Sequence, residues 1–147
     1  MARQVAAVDT GVSVLSCMSN VLGLKLVSEL DALRLVTDGI QAKTYRHAAR
    51  ALRLKANLVA PESTVRRRLG RNARFSQEES ERVLRLARIY AEAVGLFGDE
   101  DAALSWFTTP AEFIQGKPPI SPMELSATDV GARWVESHIQ RTAHGFL

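Results

Sequence analysis

The stretch "SQEESERVLRLARIYAEAVGLFG", residues 76–98, constrains the fold more than any other part of the chain. Ser76 and Glu79 have the spacing of a capping box, in which a hydroxyl and a carboxylate satisfy the free amides of a helix start. Glu78 and Glu79 also place negative charge in the first turn, where the helix dipole favours it. Val83, Leu86, Ala87, Tyr90, Ala93, Val94 and Phe97 then recur at three and four residues, and Gly98 is a stop. The pattern predicts one long amphipathic helix, able to join two halves of a structure.

Shorter helices are expected around it. "SELDALRLV" begins with Ser28 as N-cap, spaces Leu30, Leu33 and Val36 for a helix and stops at Gly39. "AKTYRHAARALRL" gathers Tyr45, Ala48, Ala49 and Leu52 on one face and leaves Arg46, Arg50 and Arg53 off it. Pro61 suits a helix start and Gly70 its end. Asp99, Thr109 and Ser121 read as N-caps, with Pro110 and Pro122 at first helical positions. The last segment spaces Val130, Trp134, Val135, His138 and Ile139 for a helix ending at Gly145. Residues 1–27 mix alternation with an apolar run, so a short strand, a loose helix and an ordered arm all stay open. No segment reads as a central strand, and the expected fold class is all-α.

Charge is unevenly placed. Residues 43–88 carry thirteen basic and four acidic side chains, between flanks that are net acidic. Such a block is the electrostatic footprint of a polyanion-binding module. Within it, "PESTVRRRLGR" follows another short helix after a tight connection, the layout of a helix-turn-helix. If Val65 and Leu69 face inward, then at about 100° per residue Arg67 points outward, Ser63, Thr64 and Arg71 lie near that direction, and Arg66 and Arg68 project sideways. Arg67 and Thr64 are therefore the expected base contacts. Ser63, Arg66, Arg68 and Arg71 are the expected phosphate contacts, and Lys55 is a further expected DNA contact. RNA is disfavoured because Tyr45 and Phe75 are isolated, with no aromatic stripe for stacking bases.

Catalytic patterns are missing: no G-x-S-x-G, no phosphate loop, no dinucleotide fingerprint and no H-E-x-x-H. One cysteine, Cys17, and three scattered histidines make no zinc site, and the lone thiol fits a cytoplasmic setting. No export signal and no membrane-spanning run are read. His47 is expected to be exposed or near phosphate, and Trp106 and Trp134 to be core anchors. The expectation is a protein without catalysis, cofactor or metal.

The second half carries a resemblance. "STVRRRL", then "SERVLRLARIYAEAVGLFGDEDAALSWF", then "PPISPMELSATDVGARWVESHIQRTAHG" resemble the recognition helix, connecting helix and C-terminal motifs of Xre/MbcA/ParS-type antitoxins of RES–Xre toxin–antitoxin modules. The similarity covers roughly residues 30–147. Phe107 after Trp106, Ala111 after Pro110 and a longer "GKPPISPMEL" depart from the family pattern. The resemblance implies two parts, a helix-turn-helix domain with connecting helix over 28–98 and a small helical toxin-binding domain over 99–147; residues 1–27 fall outside it as an unassigned arm. It implies a homodimer that represses its own operon at operator DNA and neutralises a RES-domain toxin that consumes NAD. The expected toxin contact comprises Trp134 and His138 on the last helix, with Arg141, His144, Gly145, Phe146 and Leu147 at its end. The competing expectations are a stand-alone regulator whose C-terminal part senses a ligand or dimerises, and a scaffold with no operator.

Overall fold

The computed structural model describes residues 10–145. Residues 1–9 of the N-terminal arm, and Phe146 and Leu147 of the expected toxin contact, lie outside them. The described chain is all-α. Its helices are α1 (Thr10–Leu22), α2 (Glu29–Asp38), α3 (Ala42–Leu52), α4 (Glu62–Gly70), α5 (Gln77–Phe97), α6 (Glu100–Thr108), α7 (Pro122–Leu125) and α8 (Asp129–Ala143). No strand is present among the described residues, only a single antiparallel bridge between Ala111 and Ile120.

Helix α5 runs through the centre, and α1, α2, α3, α6 and α8 all pack on it. Its caps are those the sequence predicts. Ser76 Oγ accepts the Glu79 amide at 3.1 Å, Glu79 Oε1 accepts the Ser76 amide at 2.7 Å, and Gly98 closes the helix in the left-handed conformation. Val83, Leu86, Ala87, Tyr90 and Ala93 are buried as their period requires. Leu84, Ile89 and Ala91 are buried as well, because α5 is enclosed by neighbours on several sides rather than resting on one. Phe97 instead stays 41% exposed, with its ring 5.7 Å from that of Trp106.

The open reading of the N-terminal region resolves as helix from Thr10. Met18, Val21 and Leu22 of α1 are buried against α5 and α3. Local signals do not decide this segment, since it has neither an acidic first turn nor a basic last turn. Packing of an apolar face stabilises a helix that propensity alone leaves marginal.

At the α2–α3 corner Gly39 has φ +85°, and a Cβ there would collide with the Phe75 carbonyl oxygen. That close approach lets Arg74 Nη1 donate to the Gly39 carbonyl at 2.8 Å and the Phe75 amide to the Ile40 carbonyl at 2.9 Å. The Ile40 amide in turn donates to the buried Ser80 hydroxyl of α5 at 2.9 Å. Helix α2 itself buries no residue completely: Leu30 and Leu33 remain 53% and 59% exposed.

Two expectations about the C-terminal half are corrected. Thr109 and Pro110 start no helix. The Thr109 hydroxyl turns back to the Ser105 carbonyl of α6, and the chain enters a loop closed by paired amides and carbonyls of Ala111 and Ile120, at 3.0 and 2.9 Å. A segment containing Gly116, Pro118 and Pro119 lacks both the period and the donors a helix needs. The core anchor of α6 is Phe107, fully buried, while Trp106 is only partly buried and Trp134 is on the surface.

Candidate functional site

Helix α4 presents the expected basic face. Val65 is buried and Leu69 partly so, which leaves Ser63, Arg66 and Arg67 exposed and Thr64 half-buried. Arg67, and Arg71 just beyond the helix, form no ion pair with any described residue. Arg66 lies 3.1 Å from Glu62 one turn earlier, an exposed pair that a competing anion displaces at small cost. The first-turn amides of α4, preceded by Pro61, add partial positive charge near Ser63 and Thr64.

Much of the remaining charge is spent inside the fold. Arg68, expected to reach phosphate, turns inward: its Nε and Nη2 bind the two oxygens of Glu79 at 2.7 and 3.3 Å. Lys55 Nζ lies 3.1 Å from Glu124 of α7. Arg46, Arg74 and Arg82 donate to the carbonyls of Leu69, Gly39 and Val59 at 3.2, 2.8 and 2.9 Å. Arg85 binds Glu81 and the Ala127 carbonyl, and Arg88 binds Glu136. These arginines engage carboxylates and backbone carbonyls of the fold itself, which a charge count does not distinguish from free surface charge. His47 is tied down too, with Nδ1 2.9 Å from the Val21 carbonyl at the end of α1. The tautomer this implies carries its proton on Nδ1.

A second surface lies on α8. Thr128 caps this helix by accepting the Gly131 amide at 3.0 Å. Gly131 sits against the Leu125 carbonyl with no room for a Cβ. Val135 and Ile139 face the core, which leaves Trp134 38% exposed. Trp134 and His138 stack with centroids 5.2 Å apart and planes inclined by 8°, and Phe113 from the 110–121 loop meets them edge-on at 5.3 and 6.0 Å. Val130, one turn before Trp134, and Ile114, next to Phe113, are exposed as well, and Arg141, His144 and Gly145 follow at the helix end. Burial, then the Arg141 charge, hold the His138 imidazole below its usual pKa. Of these residues the sequence reading had missed Phe113, Ile114 and the exposure of Val130. Nothing local signals that a loop residue folds back onto a helix face.

Between α5 and α8, Glu92 is the least comfortable charge. Its Oε1 is buried without a hydrogen-bond partner. Burial, then the Glu136 carboxylate, push its pKa up to about 7 against the opposing pull of Arg88. The Cys17 thiol is buried, and burial, then Glu100, raise its pKa to about 11, so it is not a reactive thiolate. Among the described residues no group of three or more His, Cys, Asp and Glu side chains could hold a metal ion, and no helix is long and apolar enough to cross a membrane.

No family model matches the chain. Curated relatives do. A protein named antitoxin Xre from Yersinia enterocolitica is 41% identical over 86 residues, 58% of this chain and 56% of that protein. One of the same name from Pseudomonas putida is 28% identical over 127 residues, 83% of this chain and 77% of that protein. A third, from Photorhabdus laumondii, is 35% identical over 82 residues, 55% of this chain and 53% of that protein. The chain thus spans about half the length of two of them and about three quarters of the other. The chain is thus similar, over 55–83% of its length, to three proteins named antitoxin Xre.

Proposed function

We propose that the protein is the antitoxin of a type II toxin–antitoxin pair, with two tasks on separate surfaces. Helices α3 and α4 act as a helix-turn-helix that binds operator DNA and represses the operon. The α8 face neutralises a RES-domain toxin that consumes NAD. The single observation that carries this reading is the coexistence of two exposed surfaces of different chemistry: a guanidinium face around Arg67 and an aromatic cluster around Trp134. An enzyme inhibitor needs a central buried anchor with a polar rim, and exposed Trp is the residue type best suited to be one.

The base-reading residues are Thr64 and Arg67, and the phosphate contacts are Ser63, Arg66 and Arg71; Lys55 and Arg68 are engaged elsewhere. On the toxin side, Trp134 and His138 form the anchor together with Phe113, while Arg141, His144 and Gly145 lead into the Phe146–Leu147 end. A homodimer would place two α4 helices about one DNA turn apart, and the exposed Val27, Leu30 and Leu33 beside α2 are suited to its seam. The deciding experiment is co-expression with the neighbouring gene. Full-length protein should restore growth and co-purify with the toxin, and a chain lacking residues 141–147 should lose protection while still shifting promoter DNA. Full protection by the truncated chain defeats the tail's part in the contact.

A ligand-sensing regulator is the second reading. It is favoured by a groove of about 640 Å³ between α1, α2 and α5, walled by Val14, Met18, Ala32, Leu33 and Leu84 and reaching Glu92. The identity of the adjacent gene separates the two: a RES-type neighbour favours the antitoxin.

A further inference from the structure

We propose that Arg68 and Glu79 are positioning residues for DNA recognition: their ion pair sets the rotation of α4, and thereby aims Arg67 and Thr64, while Arg68 itself touches no phosphate. This rests on the operator-binding reading above.

Helix α4 is nine residues long and has one buried side chain, Val65. One aliphatic anchor and a half-buried Leu69 leave a short helix free to roll about its own axis. Two polar links oppose this. Arg46 Nη2 donates to the Leu69 carbonyl at 3.2 Å, near the C-terminal end. Arg68 grips both oxygens of Glu79 with a planar fork, which restrains direction as well as distance. Glu79 is itself immobile: its side chain is 10% exposed, and the same Oε1 that receives Arg68 also accepts the Ser76 amide. The capping carboxylate of the central helix is therefore also the socket for α4. Arg67 lies next to Arg68 in sequence, about 100° around the helix, so a roll that frees Arg68 swings Arg67 with it. A misplacement of about an ångström in a positioning element is enough to cost a large factor in recognition.

The sign of one substitution separates positioning from simple electrostatics. Glu79→Gln removes a negative charge beside a DNA-binding face, so a purely Coulombic account predicts tighter binding. Its amide oxygen still accepts from Ser76, which keeps the cap. Positioning predicts about tenfold weaker binding. Binding would be measured on the duplex directly upstream of the protein's own gene at several salt concentrations, with circular dichroism melting of each variant. The expected result is that Glu79→Gln and Arg68→Gln each weaken binding by a similar factor, that the double variant is no weaker than either, and that the slope of log affinity against log salt is unchanged. Should Glu79→Gln fail to fold, Arg68→Met, which touches no cap, carries the test through its salt slope: weaker binding at an unchanged slope supports positioning, and a slope lowered by about one overturns it. Binding by Glu79→Gln as tight as wild type or tighter, or a slope lowered by about one in Arg68→Gln, the mark of a lost phosphate contact, overturns the proposal. Wild-type protein that shifts no promoter duplex at any salt sinks the operator reading instead, and this proposal with it.

Discussion

Trp134 and His138, one turn apart on α8, lie ring over ring, and Phe113 closes the stack from a different segment. Such an arrangement buries aromatic area among the three rings while leaving the indole reachable from outside. Trp134→Ala is therefore expected to weaken toxin binding by about 2 kcal/mol or more. Folding should suffer less, because Trp134 is not in the core. Isothermal titration with the toxin alongside a melting curve checks both halves.

Arg67, exposed and in no ion pair with a described residue, lies at the centre of the α4 face. Arg67→Ala should cost about 1–3 kcal/mol at the operator and relax discrimination at one base pair. Arg66→Ala should weaken all duplexes alike, and more at low salt. Competition binding with single-base operator variants distinguishes the two.

Gly131 is held against the Leu125 carbonyl, so Gly131→Ala must push α8 away from α7. The expected loss is about 1–3 kcal/mol of stability. A drop in toxin binding greater than that of Trp134→Ala, with DNA binding intact, would show the displacement reaching the α8 face. Thermal denaturation and a promoter shift measure the two effects.

Glu92 gives stability a defined pH dependence. Its folded-state pKa is raised to about 7 from an ordinary 4.5, so between those values the folded state holds a proton that the unfolded chain has released. Stability from this group is complete at low pH and falls as pH rises toward and through 7. Glu136 and Arg88 share the seam, and Glu29 and Glu81 line the groove that Glu92 reaches. Glu92→Gln should raise stability at pH 8 by about 1 kcal/mol, a figure reduced for the solvent that still screens this partly exposed carboxyl. Melting temperatures at pH 5 and pH 8 should then lie closer together than in the wild type. A Glu92→Gln curve parallel to the wild-type curve would exclude the effect.

Glu79 acts in the opposite sense. Burial opposes its charge, but the Ser76 amide and Arg68 outweigh that penalty and lower its pKa. Its contribution is present above the ordinary carboxylate pKa and is lost as pH falls through the lowered value. Protection of the α4 amides from hydrogen exchange should therefore fall at acid pH in the wild type, and should change less in Glu79→Gln.

Local patterns determined the helical class, the capping of α5 by Ser76 and Glu79, the Asp99 and Ser121 caps and the inward face of Val65. Each depends on neighbours within a turn or two, where spacing and side-chain chemistry leave little choice. Tertiary structure decided the rest. It made α1 a helix by giving Met18 and Leu22 somewhere to pack, and it placed Phe107 rather than Trp134 in the core. It also folded Phe113 onto α8, drew Arg68, Arg82 and Arg85 partly inward and bound Arg74 to the Gly39 carbonyl. A net charge counts guanidinium groups without saying which carbonyls and carboxylates stand near them. Only the fold brings Glu79, Gly39, Val59 and Ala127 to those arginines, and so only the fold leaves Arg67 and Arg71 exposed and without an ion pair among the described residues.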